Sequence, residues 1–120
     1  MPAFNFKPQF ADDVESGRKP QTIRSTRRGK VGDTAYLYTG QRTANCRKLG
    51  EGILTEIRGV FIGEYHIRDG GNFLFNCEPL NEFARADGFS DWAEMKAWFS
   101  NQYGLPFSGW LHVWELKDKV

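Results

Sequence analysis

Residues Gly17–Lys30 read GRKPQTIRSTRRGK, and the reading of the whole chain starts from them. Gly17 stops the segment before it. Pro8–Ser16 has Phe10 and Val14 four residues apart, the spacing of a helix with one buried face, and a glycine just past its end is the usual helix stop. Pro20 disfavours helical geometry at Lys19, so the chain leaves the helix extended. Gln21–Arg24 is short, β-favouring and bounded by turn residues, which predicts a strand. The stretch therefore places Lys19, Thr22 and Arg24 at a helix-to-strand junction, a common place for a ligand-holding turn.

Outward from this junction the elements follow from periodicity. Phe4 and Phe6 alternate with polar residues and predict a short first strand. Val31-Gly32-Asp33 reads as a turn into a strand over Thr34–Thr39, with Ala35, Leu37 and Thr39 on one side and Tyr36 and Tyr38 on the other. Gln41–Gly50 reads as a polar, basic loop. β segments follow over Gly52–Ile62, Glu64–Arg68 and Asn72–Phe75, the last two separated by the turn signal Asp69-Gly70-Gly71. The period then changes. Pro79–Ala86 predicts a short helix, and Ser90 or Asp91 caps a second helix ending at Tyr103, with Glu94 placed for a capping box if Asp91 is the cap. Trp92, Met95, Phe99 and Tyr103 give that helix its core face. Gly109–Leu116 alternates as a last strand. Without regular βαβ alternation, a doubly wound parallel sheet is disfavoured. The expected fold class is α+β: one domain over residues 1–120, a mixed β-barrel flanked by short helices.

Composition sets the bounds. With 120 residues, 40 % of them hydrophobic and 15 % aromatic, the chain can fill one core without metal or disulfides. Two cysteines, Cys46 and Cys77, make no disulfide framework and read as buried, reduced thiols of a cytoplasmic protein. No signal-peptide pattern opens the sequence and no stretch reaches the length of a membrane span. The net charge of +1 conceals an asymmetry. Between Arg18 and Lys48 lie nine basic residues and a single acid, Asp33, whereas residues 49–120 hold six basic and eleven acidic residues. Such a polarised charge suits a phosphate-bearing partner, RNA or a nucleotide, although a solvated loop has the same composition. On this reading Arg18, Lys19, Thr22, Arg24, Arg27 and Arg28 are the candidate ligand-binding residues.

Each candidate also has a structural reading. Thr22 is a hydroxyl that becomes a nucleophile beside a base, or simply a good strand residue. Lys19 serves as that base only if burial or a neighbouring cation lowers its pKa; otherwise it is a solvated side chain. Arg24 either contacts ligand or bonds barrel carbonyls. Trp110, Trp114, Tyr36 and Tyr38 either stack on bases or fill the core. Cys46, Cys77, His66 and His112 lack the close pairing of structural zinc sites, so no metal is expected, and no nucleotide-cofactor fingerprint is present.

Two blocks resemble a known family. G-R-K-x-x-T-I-R follows an F-x-x-x-V-x-x-G helix and precedes K-V-G-D. A-x-x-D-G-F-S-D-W-x-E-M-x-x-W-F lies further on, over residues 84–99. Together, in this order and spanning nearly the whole chain, they resemble the ASCH family. The resemblance implies a barrel similar to the PUA domain, with a cleft for RNA or a modified nucleoside. No cofactor is expected. Some members are amidohydrolases that deacylate N-acetylated cytidine, and another ASCH-like protein is regarded as a ribonuclease. Carried over by position, the resemblance implies a catalytic set of Lys19, Thr22 and Asp87: Thr22 attacks the acyl carbon, Lys19 accepts its proton and Asp87 orients groups or helps protonate the leaving amine. The chain departs from the amidohydrolases in carrying Asp where they have Glu, in the added loop Gln41–Gly50 and in its Trp-rich last strand. A protein-interaction domain using the acidic helices is a further reading.

Overall fold

The computed structural model describes residues 2–117. It is a mixed α+β architecture: a seven-stranded sheet, curled into a half-barrel, with three helices. The elements are β1 (Ala3–Phe6), α1 (Pro8–Ser16), β2 (Gln21–Arg24), β3 (Thr34–Thr39), β4 (Arg47–Ile62), β5 (Ile67–Asp69), β6 (Asn72–Leu74), α2 (Cys77–Ala86), α3 (Trp92–Gln102) and β7 (Phe107–Leu116).

The 16-residue strand β4 is the spine. Along one edge it pairs first with β3, Ile53 opposite Thr34, and then at its far end with β5, Ile62 opposite Ile67. Along the other edge it pairs with β7 from Gly52–Leu116 to Ile62–Phe107. β1 adds to β3 in parallel, β6 to β5 and β2 to β7 antiparallel. Register shifts between Leu37 and Tyr38 and between Leu54 and Glu56 bend the long strands, as bulges do. The bending turns the free edges of β1 and β2 toward each other. Two guanidinium groups bridge them: Arg24 Nη2 donates to the Asn5 carbonyl at 2.9 Å and Arg28 Nη1 to the Ala3 carbonyl at 2.9 Å. Arg24 is thus the barrel-bonding residue of its structural reading.

The core lies inside the curl. Phe4, Leu37, Leu54, Ile62 and Leu111 are fully buried, and each such side chain contributes about 1.5–3 kcal/mol. α3 closes one side: Met95 and Phe99 are buried, with the Phe99 ring 5.4 Å from that of Phe107. Of its two candidate caps the structure uses Asp91, Glu94 N–H donating to the Asp91 carboxylate at 2.9 Å. Tyr103 lies half exposed at the helix end instead of in the core.

Several boundaries differ from the sequence reading. Arg47–Gly50 belongs to β4, because it finds a partner edge in Thr39–Leu37. Glu64-Tyr65 forms a bend, and the strand starts at Ile67. α2 begins at Cys77, with Pro79 in the first turn, where its missing N–H has no intrahelical acceptor to lose. Cys46 and Cys77 are exposed, not buried. Both sit at element boundaries that the core does not cover. Among the described residues, no helix is long and apolar enough to cross a membrane.

His112 is fully buried on β7 beneath Phe4, ring centroids 5.1 Å apart. Its Nε2 accepts the Arg28 backbone N–H at 3.0 Å, so the ring is a neutral acceptor pinning the loop after β2. Burial pushes its pKa down to about 4, reinforced by the charges of Arg24 and Arg28 against the pull of the Thr22 and Trp110 backbones. Between pH 4 and 6.5 the unfolded chain binds the proton and the folded chain does not, so this contribution is present above pH 6.5 and lost as pH falls toward 4. Its full size is about 3 kcal/mol. Thermal unfolding followed from pH 7 to pH 4.5 should show a falling midpoint, and His112→Phe should flatten that part of the profile. An equally steep decline in His112→Phe would exclude His112 as its source.

Candidate functional site

The chain turns at Gly17, whose φ of 89° is left-handed, and its N–H closes α1 on the Val14 carbonyl. Arg18 points out and pairs with Asp13 at 2.9 Å. Lys19 turns in. Its backbone N–H bonds the Asp13 carbonyl at 2.9 Å, and its side chain runs to the far end of α2 with only 3 % of its surface exposed.

There Lys19 meets Asp87, 68 residues away. Asp87 is the C-cap of α2, so its carbonyl belongs to the helix end that lacks intrahelical donors and carries partial negative charge. Lys19 Nζ donates to that carbonyl and stands 3.6 Å from the Asp87 carboxylate. Gln21 Nε2 donates to the same carboxylate at 3.4 Å. The faces of Phe10 and Phe6 lie 5.1 Å and 5.8 Å from the ammonium. Burial pulls the Lys19 pKa down while Asp87 pulls it up; burial likewise pushes the Asp87 carboxyl up while Lys19 holds it down. Desolvation leads in both, so the pair holds its charges less firmly than the same pair in water.

Gly88 makes room for this contact. It adopts φ of +96°, and a Cβ there would come within 2.7 Å of Lys19 Cδ and 3.1 Å of the Phe10 ring. Its N–H also closes α2 on the Arg85 carbonyl. The D-G pair of the second sequence block thus supplies both the helix stop and the space beneath which Lys19 passes.

On β2, Thr22 is buried and its Oγ1 accepts from Arg24 Nε at 3.2 Å. Its own hydroxyl proton is therefore free to donate. Arg24 lies against Phe6 at 5.0 Å and Phe4 at 5.4 Å, and burial with the nearby charge of Arg28 lowers its pKa to about 10.

Lys19, Thr22, Arg24 and Asp87 all line one pocket of about 130 Å³. Its walls are rings: Phe6, Phe10, Phe89, Trp98 and Tyr103, with Phe10 and Trp98 in edge contact at 5.8 Å. Asn5 and Gln102 add polar atoms. A cavity near 150 Å³ holds a benzene-sized ring, so this one matches a single six-membered ring. Among the described residues no hydrogen bond joins Lys19 to Thr22 directly.

The remaining predicted ligand residues stand elsewhere. Arg18 is paired outside the pocket, Arg28 is tied to the Ala3 carbonyl, and Arg27 lies over Trp110 at 5.6 Å. Much of the basic block is neutralised, Arg47 by Glu15 at 3.0 Å and Lys48 by Glu51. Trp114 is buried against Phe4 and Phe6, a core role, whereas Trp110 is half-buried. Among the described residues, no cluster of three or more His, Cys, Asp or Glu is placed to hold a metal ion. Sequence reasoning missed the aromatic walls and Gln21. Phe10 and Trp98 carry only the helical periodicity of core residues, and nothing in that periodicity separates a core ring from a pocket ring.

Comparison of the chain with known protein families, curated proteins and solved structures finds no match.

Removing one partner of a buried ion pair strands the other. Lys19→Met and Asp87→Leu should each cost about 3–5 kcal/mol in denaturant unfolding, and the double variant should cost clearly less than the two together. Strict additivity would show that the pair is not coupled. Gly88→Ala should cost more than the ~1 kcal/mol of a simple left-handed strain, because its methyl meets Lys19.

Proposed function

We propose that this chain is an ASCH-like domain of the PUA-like kind that binds RNA or a nucleotide by taking one base into the pocket formed by Lys19, Thr22, Arg24 and Asp87. The observation that carries this reading is the combination of ring-lined walls with converging polar groups in a space the size of one six-membered ring. Aromatic faces receive the flat surface of a base, and polar atoms read its edge. The volume favours a pyrimidine over a purine. Asn5, Thr22 and Gln102 supply donors and acceptors together, while Arg24 supplies positive charge for an exocyclic oxygen or a phosphate.

A second reading is hydrolysis of an N-acylated pyrimidine nucleoside, favoured by the meeting of Lys19, Thr22 and Asp87 at one pocket. The Thr22 hydroxyl attacks the acyl carbon and its proton passes to Lys19, whose burial favours the neutral amine. The C–N bond breaks, the leaving amine takes the proton back, and water then releases the acyl group from Thr22. Because Lys19 hydrogen-bonds Asp87 and not Thr22, it must change partner for this step.

Isothermal titration with cytidine and its monophosphate tests the binding reading. Tyr103→Ala removes a half-exposed pocket wall and should weaken binding roughly tenfold, the worth of one stacking contact. No measurable heat with any pyrimidine nucleoside or nucleotide would sink the reading. Acetate release from N-acetylcytidine tests the second: wild type should turn over, and Thr22→Ala should lose about a hundredfold or more while still binding. Equal turnover by Thr22→Ala would remove Thr22 as the nucleophile.

A further inference from the structure

A second concavity lies across β7, β4 and β5. It is shallow and open to solvent, and is lined by Gly59, Phe61, Arg68, Ser108 and Trp110 together with Ser25. Sheet register explains how it forms. Phe61 stands between Ser108 on β7 and Arg68 on β5, and Arg68 in turn faces Phe73 on β6, so these four side chains share one face. One step along, Trp110 faces Gly59, which has no side chain to cover it. A Cβ at Gly59 would meet nothing within 4 Å, so the floor beside Trp110 is open.

The rings of this face continue outward. His66 stacks on Phe73 at 4.6 Å and 14° and on Phe61 at 5.4 Å and 28°, and Phe73 is followed by Phe75 at 5.8 Å. Phe73 and Phe75 are half exposed or more. Exposed rings alone do not choose a partner, but the charges here do. Arg27 lies over Trp110, and Arg68 lines the groove. Among the described residues neither forms an ion pair, unlike Arg58 beside them, which is held by Asp69 and Glu56. No carboxylate lines the groove among the described residues. Exposed rings beside unneutralised guanidinium groups match a single-stranded polyanion with flat bases.

We infer that this groove, with Trp110 and Arg68 as its contacts, holds nucleotides flanking the base in the pocket, so the ligand is a single strand of nucleic acid and not a free nucleoside. The inference rests on the base-binding reading above. Continuity supports it: Arg24 lines the pocket and Ser25, the next residue, lines the groove.

The test compares a short labelled single-stranded uridine oligonucleotide, followed by fluorescence anisotropy, with uridine monophosphate, followed by calorimetry. Gly59→Val fills the floor at a strand position that favours a β-branched residue, and Arg68→Ala removes the cation; circular dichroism and melting check that both fold. Wild type should bind the oligonucleotide more tightly than the monophosphate. Each variant should lose roughly tenfold for the oligonucleotide and nothing for the monophosphate. Arg68→Ala should also flatten the salt slope by about one phosphate contact. Unchanged oligonucleotide affinity in both variants, or no gain of oligonucleotide over monophosphate, overturns the groove while leaving the pocket standing. If wild type binds neither ligand, both readings fall. If Phe73→Ser abolishes self-association in sedimentation while RNA affinity is untouched, the face is a protein contact and the inference is wrong.

Discussion

The buried contact between Lys19 and Asp87 organises this protein. It ties the turn after α1 to the C-terminal end of α2, two points 68 residues apart in sequence. An ammonium taken out of water needs a strong acceptor set, and here a helix C-terminus, a carboxylate and two ring faces provide it together. Each partner is a liability alone. Lys19 without Asp87 would be an unpaired buried cation, and Asp87 without Lys19 an unpaired buried anion. The aromatic pocket has this pair as part of its wall, so its shape depends on both segments arriving together.

A second constraint acts at the open side of the half-barrel. The edges of β1 and β2 are not joined by a backbone ladder but by Arg24 and Arg28 reaching to carbonyls of the opposite strand. A side-chain bridge leaves a gap that a ladder would fill, and Asn5, Thr22 and Arg24 border the pocket there. Arg24 thus serves the barrel and the pocket at once, and His112 beneath it fixes the following loop through Arg28. Arg24 and Arg28, two of the four arginines marked as ligand-binding candidates, are therefore framework, and Arg18 is paired with Asp13. Arg27 lies over the half-buried ring of Trp110.

How much of this was legible in the sequence depends on whether the signal was local. Alternation in Thr34–Thr39 gave the buried side as Ala35, Leu37 and Thr39, and the Asp91–Glu94 box gave the start of α3, because both are set by neighbours along the chain. The course of Arg47–Gly50 was not legible: a basic, polar segment reads as a loop until a partner edge accepts it. The charge block misled in a similar way. Arg18, Arg47 and Lys48 look unopposed in their own stretch, but Asp13, Glu15 and Glu51 reach them from α1 and the body of β4. For the site, Lys19, Thr22 and Arg24 were marked by the helix-to-strand junction and Asp87 only by the resemblance of two sequence blocks to a family, and one pocket is lined by all four. The rings of the pocket were hidden, since Phe10 and Trp98 carry the same helical periodicity as Val14 and Met95, and Phe10 is itself a core residue as well as a pocket wall.

The most direct measurement of the central claim is the indole N–H signal of Trp98 in proton–nitrogen NMR during titration with cytidine. Trp98 lines the pocket, and Trp114 does not, lying in the core behind Phe6. A base seated in the pocket should shift the Trp98 resonance saturably and that of Trp114 much less. A spectrum in which Trp98 does not move up to millimolar nucleoside would contradict the account.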